Sequence, residues 1–161
     1  MAISAEELVN AVREIARLNA EIWAEFRRGG VHSPRIEPLT EQSLALRRNV
    51  VDRAGRKTRL VAVEEMLRRG VATGEISRSL GPMDQYVKDL PSVAHYESWY
   101  ATRLEGAIKR EVLVWKGDED FEVRYYSMTS GGSHSRQVSL DRYPTLEEAL
   151  EGAGEVRSRH G

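Results

Sequence analysis

The sequence contains no cysteine, which excludes disulfides, zinc–thiolate sites and thiol nucleophiles. It also lacks any long apolar run: the longest aliphatic stretch, Leu60 to Val63, is far too short to span a bilayer. The first twenty residues, MAISAEELVNAVREIARLNA, mix charges with spaced apolar residues and lack the basic-then-apolar order of a secretory signal. Together these absences lead to the expectation of a soluble chain in a reducing, cytoplasmic setting, with no membrane partner. Nor is there an excess of either charge, since the formal net charge is −1.

What is present is an uneven distribution of that charge. Residues 44–81 carry nine basic and four acidic side chains, whereas 1–43 and 82–161 are both net acidic. A positive middle between acidic ends is the one electrostatic signal in the chain. Twenty of the 24 basic residues are arginine; the bias extends along the whole chain and so fits genome composition better than phosphate recognition. At 161 residues the chain suits one domain, or one domain with a small module, and can bury a core without staples.

The clearest element is a first helix, about residues 4–30. Ser4 and Glu7 make a capping box and Gly29-Gly30 supplies the stop. Leu8, Val12, Ile15, Asn19, Ile22 and Phe26 alternate spacings of four and three, the seam of a heptad repeat. Asn19 falls at an a position, where a lone Asn fixes register in parallel two-stranded coils, so the seam is a candidate dimerisation surface. Val9, Ala16 and Trp23 broaden the apolar face, which favours packing inside the chain's own domain.

VHSPRIEP (31–38) reads as a loop. A second helix is expected from Thr40 towards Gly55, then a basic turn, Arg56-Lys57-Thr58-Arg59, and a third helix from Leu60 to Gly70. After Pro91 the aromatic group His95, Tyr96, Trp99 and Tyr100 is read on a further helix running to Ile108. Core packing, single-stranded base stacking and a protein interface all use such residues. From residue 111 the period changes to two. Glu111–Trp115 and Phe121–Tyr126 flank a hairpin turn, Gln137–Leu140 makes a third strand, and Thr145 with Glu148 caps a short last helix stopped by Gly152 and Gly154. The expected fold is therefore α+β. A helical domain over 1–110 precedes a three-stranded antiparallel sheet with a terminal helix over 111–155, and 156–161 forms a flexible tail.

Within MLRRGVATGEISRSLGPMDQYVKDL, Ile76 and Leu80 are apolar residues four apart, Gly81 offers a turn, and Val87 and Leu90 are anchors three apart. Over about residues 60–90 this pattern resembles the helix-turn-helix DNA-binding proteins. The resemblance implies a trihelical unit with Pro82 to Leu90 as recognition helix and double-stranded DNA as partner. Gln85 would then read adenine and Lys88 guanine or phosphate, with phosphate contacts from Arg56, Lys57, Arg59, Arg68, Arg69 and Arg78. Pro82 and the acidic pair Asp84 and Asp89 depart from that pattern. The strand order of the C-terminal module resembles arm-type and AP2-type DNA-binding modules, which implies Arg124 and Arg136 as contacts. A module that completes a core or binds protein has the same order.

No catalytic constellation is present. His32, His95, His134 and His160 show no metal-ligand spacing, and His95 and Glu97, two apart, diverge if helical. His134 lies in SGGSHS without an orienting acid. Gly131-Gly132 lacks the context of a phosphate loop, and Asp118-Glu119-Asp120 reads as a solvated hairpin tip. The expectation is a non-enzymatic DNA-binding or regulatory protein without metal or cofactor. The alternative is a protein-interaction or assembly factor, such as a phage or mobile-element accessory protein.

Overall fold

In the computed structural model, the Ser4 hydroxyl accepts from the Glu7 N–H at 3.1 Å, and Glu7 Oε1 accepts from the Ser4 N–H at 3.2 Å. This cap starts α1 (Ala5–Gly29), which ends where Gly30 adopts φ 69°, a left-handed conformation that glycine enters without a Cβ clash. The structure describes residues 2–103, 106–128 and 135–161. They sort into two units, Met1–Val71 with Glu75–Pro82, and Ala72–Gly74 with Met83–Gly161.

The first unit is helical. α1 packs on α2 (Ile36–Leu46) and α3 (Arg56–Arg68), and buries Leu8, Val9, Ala11, Val12, Ile15 and Leu18. Those side chains each contribute on the order of 1.5–3 kcal/mol by leaving water, alanine less. Half of the heptad seam is therefore inside the chain: Leu8, Val12 and Ile15 are covered by its own helices, while Asn19, Ile22 and Phe26 are half-buried. The broad apolar face explains this, since a stripe this wide fits two neighbouring helices better than one partner.

α2 begins at Ile36, within the expected loop, because Pro38 lies in the first turn, where its missing N–H leaves no bond unmade. Thr40 is no cap; its hydroxyl donates to the Ile36 carbonyl at 2.8 Å. A π turn, Arg47–Val51, follows α2. α3 then starts at Arg56, so the basic turn is the first turn of a helix and not a connection. α4 (Thr73–Leu80) buries Ile76 and Leu80, and Arg13 of α1 holds its Glu75 at 3.0 Å.

The expected recognition helix is absent. Pro82 to Leu90 forms two 3₁₀ turns, Met83–Gln85 and Val87–Asp89. Pro82 and Pro91 bracket eight residues, and Met83, Tyr86 and Leu90 turn inward. That near-three-residue spacing suits the 3₁₀ geometry. Val87, read as an anchor, is only half-buried.

The second unit is a meander of four antiparallel strands, not three: β1 (Val93–Arg103), β2 (Gly106–Lys116), β3 (Phe121–Met128) and β4 (Ser135–Tyr143), in that order. β1 replaces the helix expected after Pro91. Tyr96 and Trp99, three apart, imitate a helical face, but Val93–Arg103 pairs along its length with β2. α5 (Leu146–His160) covers one face of the sheet. Trp99, Val112, Val114, Val123 and Tyr125 pack there against Ala149, Ala153 and Val156.

Strand alternation sends Tyr96, Glu111, Leu113, Trp115, Arg124 and Tyr126 to the opposite face. The Thr145 hydroxyl accepts from the Glu148 N–H at 3.2 Å. α5 does not stop at Gly152 or Gly154 but continues through the residues expected to be a flexible tail. Gly152 instead allows close packing, since a Cβ there would lie 2.4 Å from the Tyr143 hydroxyl.

Candidate functional site

The π turn and the start of α3 make a corner with six basic residues and one acid, Asp52, between positions 47 and 59. The π geometry shows in the Asp52 N–H, which donates to the Arg47 carbonyl at 2.8 Å, and the turns that follow leave the Val51 and Ala54 carbonyls facing Arg59. Arg59 donates to both, at 2.8 and 3.0 Å. Its guanidinium is thus a staple of the corner and not a free phosphate ligand. Arg48, Arg53, Arg56 and Lys57 are exposed. Gly55 caps α3 without a side-chain bond, and the first turn holds no acidic residue. The first backbone N–H groups of α3 and the positive end of the helix dipole therefore coincide with added cations.

The remaining sequence-predicted contacts are dispersed. Arg68 pairs with Glu64 at 3.5 Å and Glu65 at 2.9 Å, and Arg69 pairs with Glu65 at 2.9 Å, at the far end of α3. The hydrogen bond from Arg69, followed by that from Arg68, holds the Glu65 carboxyl below its usual range. Arg78 is half-buried; burial, with the charge of Arg47 second, lowers its pKa. Arg47 donates to the Arg78 carbonyl at 3.2 Å. Gln85 and Lys88 are exposed on the 3₁₀ turns and belong to the second unit. Arg124 is buried, donates to Glu122 at 2.8 and 3.0 Å, and lies 5.0 Å from the Trp115 ring centre; Arg136 is exposed.

Arg48 and Arg53 were not among the residues singled out from sequence. The signal was legible in RRNVVDRAGRK, where a turn between two helices collects cations at both its ends.

The second unit holds a polar and aromatic cluster that sequence reasoning missed. Arg110 of β2 is 7% exposed; its Nη1 donates to the Tyr125 hydroxyl and faces His160 Nδ1 at 3.4 Å. The His160 ring stacks on Tyr125 with centroids 4.4 Å apart, and the Trp99 indole N–H donates to the His160 carbonyl at 3.0 Å. Arg157 lies over Trp99 at 4.5 Å and donates to Glu97 at 3.2 Å. Burial, then the charges of Arg110 and Arg159, lowers the His160 pKa.

His95 and Glu97, expected to diverge on a helix, share a side of β1 and lie 3.7 Å apart. His134 and Gly131-Gly132 lie outside the described residues. Among the described residues no group of three or more His, Asp or Glu could hold a metal, and no helix is long and apolar enough to cross a membrane.

Fold and sites define an α+β chain with a basic helical unit and an acidic sheet-and-helix unit. Compared with protein-family models, curated proteins and solved structures, the chain shows no match in any of the three.

Proposed function

We propose that the chain is a small non-enzymatic DNA-binding or regulatory protein that docks on phosphates through the corner of Arg48, Arg53, Arg56 and Lys57. The observation that carries this reading is the coincidence of four exposed cations with the uncapped N-terminus of α3. Such a corner neutralises phosphates and reads no base edges, so binding is driven by counterion release and is sequence-tolerant. The two 3₁₀ turns in place of a recognition helix agree with that.

The test is a salt titration of binding to random double-stranded DNA. Wild type is expected to bind with Kd on the order of 10⁻⁶ to 10⁻⁴ M and to weaken steeply with salt. Arg48→Ala/Arg53→Ala/Lys57→Ala should bind more weakly, with the log–log salt slope shallower by about 2–3. Absence of binding at low salt would remove the reading. The alternative, an assembly factor, would rest on Trp23, which is 43% exposed beside Phe26 at 5.7 Å on the C-terminal half of α1.

A further inference from the structure

Arg110 is a buried cation that meets no anion among the described residues. Its contacts among the described residues are a phenol oxygen and an imidazole nitrogen, both reached by Nη1. Nε is enclosed and has no acceptor. The other edge of the guanidinium, where Nε–H and Nη2–H lie parallel, is the fork that takes two oxygens of a carboxylate or phosphate. No such group among the described residues meets it. The Tyr125 hydroxyl accepts from Arg110, so its own proton remains to be donated.

The charge balance around this fork is positive. Arg157 and Arg159 lie in the last turn of α5, with His160 beside them. The negative end of the helix contributes only about half a charge. Glu97, a carboxylate among the described residues of this neighbourhood, is engaged by Arg157. A buried guanidinium left this way is costly, and a matched oxyanion repays much of that cost.

Access lies at the end of α5. The last turn of a helix has no following hydrogen bonds to hold it and opens locally at small cost. Here it is fastened by the Trp99–His160 bond and by the His160 ring on Tyr125.

We propose that Arg110, Tyr125 and His160 form a binding site for a small oxyanion, of carboxylate or phosphate chemistry, beneath the last turn of α5. Arg110 supplies the fork, Tyr125 a further donor, and His160 the movable side of the site. The site belongs to the second unit and stands independently of the basic corner.

The test is thermal unfolding of the full chain in inorganic phosphate, acetate or chloride at matched ionic strength. Phosphate or acetate is expected to raise the midpoint, saturably, by about 2–4 °C over chloride. Arg110→Met should abolish the rise and Tyr125→Phe should reduce it, while the triple variant of the basic corner should retain it. Should Arg110→Met not fold, amide and indole NMR shifts of the wild type carry the test, and must be confined to Arg110, Tyr125, Trp99 and His160. No saturable rise with either anion would overturn the proposal. So would a rise that survives Arg110→Met, or one that disappears with the basic corner, because the ion would then sit elsewhere.

Discussion

Arg110 and Glu111 are consecutive on β2 and bury opposite charges on opposite faces of the sheet, and neither meets a side chain of opposite charge among the described residues. The alternation of a strand forces this separation. The two sides resolve it differently. Glu111, 1% exposed, accepts from the Thr73 hydroxyl at 2.7 Å and from the Tyr96 hydroxyl, so both carboxylate oxygens are served. Arg110 has one edge served, while on the other its Nε is enclosed without an acceptor among the described residues.

The two positions should therefore answer differently to neutralisation. Glu111→Gln turns an amide donor towards one of two hydroxyl donors and should cost about 1–3 kcal/mol. Arg110→Met removes a buried charge that lacks a counter-ion, and in phosphate-free buffer should stay within about 1 kcal/mol of wild type. Urea midpoints with unchanged m-values check both, and equal losses at the two positions would refute the asymmetry.

Two glycines of α5, two residues apart, should shift stability in opposite directions. A Cβ at Gly152 meets the rigid, packed ring of Tyr143 at 2.4–2.9 Å, whereas one at Gly154 meets nothing within 4 Å. Gly152→Ala should cost about 1–3 kcal/mol through overpacking. Gly154→Ala should gain roughly 0.5–1 kcal/mol from helix propensity. Both are read from thermal or urea unfolding, and a gain at Gly152 would show that the ring gives way.

How much of this was legible in the sequence depends on how local the cause was. The Ser4–Glu7 cap, the helix stop at Gly29-Gly30 and the β2–β3 hairpin are set by residues within a few positions of one another, and they appear as expected. β1 did not, because Tyr96 and Trp99 fit a helix until β2 is there to pair with them. The helix-turn-helix pattern failed at Pro82 to Leu90 for a related reason, since spacings of three and four serve a 3₁₀ turn as well as an α-helix. Of the candidate contacts, Arg56 and Lys57 remained exposed, but Arg59 was taken by backbone carbonyls and Arg68 and Arg69 by Glu64 and Glu65. Nothing in a local sequence window distinguishes an arginine that stays exposed from one that folds onto a neighbouring carbonyl or carboxylate.

His160 gives a pH dependence with a defined sign. Burial and the neighbouring cations Arg110 and Arg159 lower its folded pKa below the ordinary 6.5, so the folded state binds fewer protons than the unfolded state over that interval. The stability from neutral His160 is complete above the unfolded value and is lost as pH falls towards the lowered one. Tyr125 and Trp99 are the other groups that hold the ring and its carbonyl. Unfolding midpoints between about pH 7 and 5 should fall more for wild type than for His160→Ala. Parallel profiles would remove His160 as the cause.

The basic corner offers the sharpest separation between fold and binding. Arg59 and Lys57 are two residues apart on the first turn of α3, yet Arg59 donates to the Val51 and Ala54 carbonyls whereas Lys57 is exposed. Arg59→Ala strips both carbonyls of a charged donor and should cost about 1–3 kcal/mol of stability. Lys57 is exposed, so Lys57→Ala should leave the unfolding midpoint within about 0.5 kcal/mol of wild type. If the corner docks on DNA, Lys57→Ala should weaken binding similarly across unrelated sequences and reduce the salt slope by about 1. Arg59→Lys keeps the charge but not the planar two-point donation, and should therefore lose stability while preserving most of the salt dependence. Unfolding and DNA titration on the same three preparations test this, and a Lys57→Ala protein with full affinity and an unchanged slope would refute docking through Lys57.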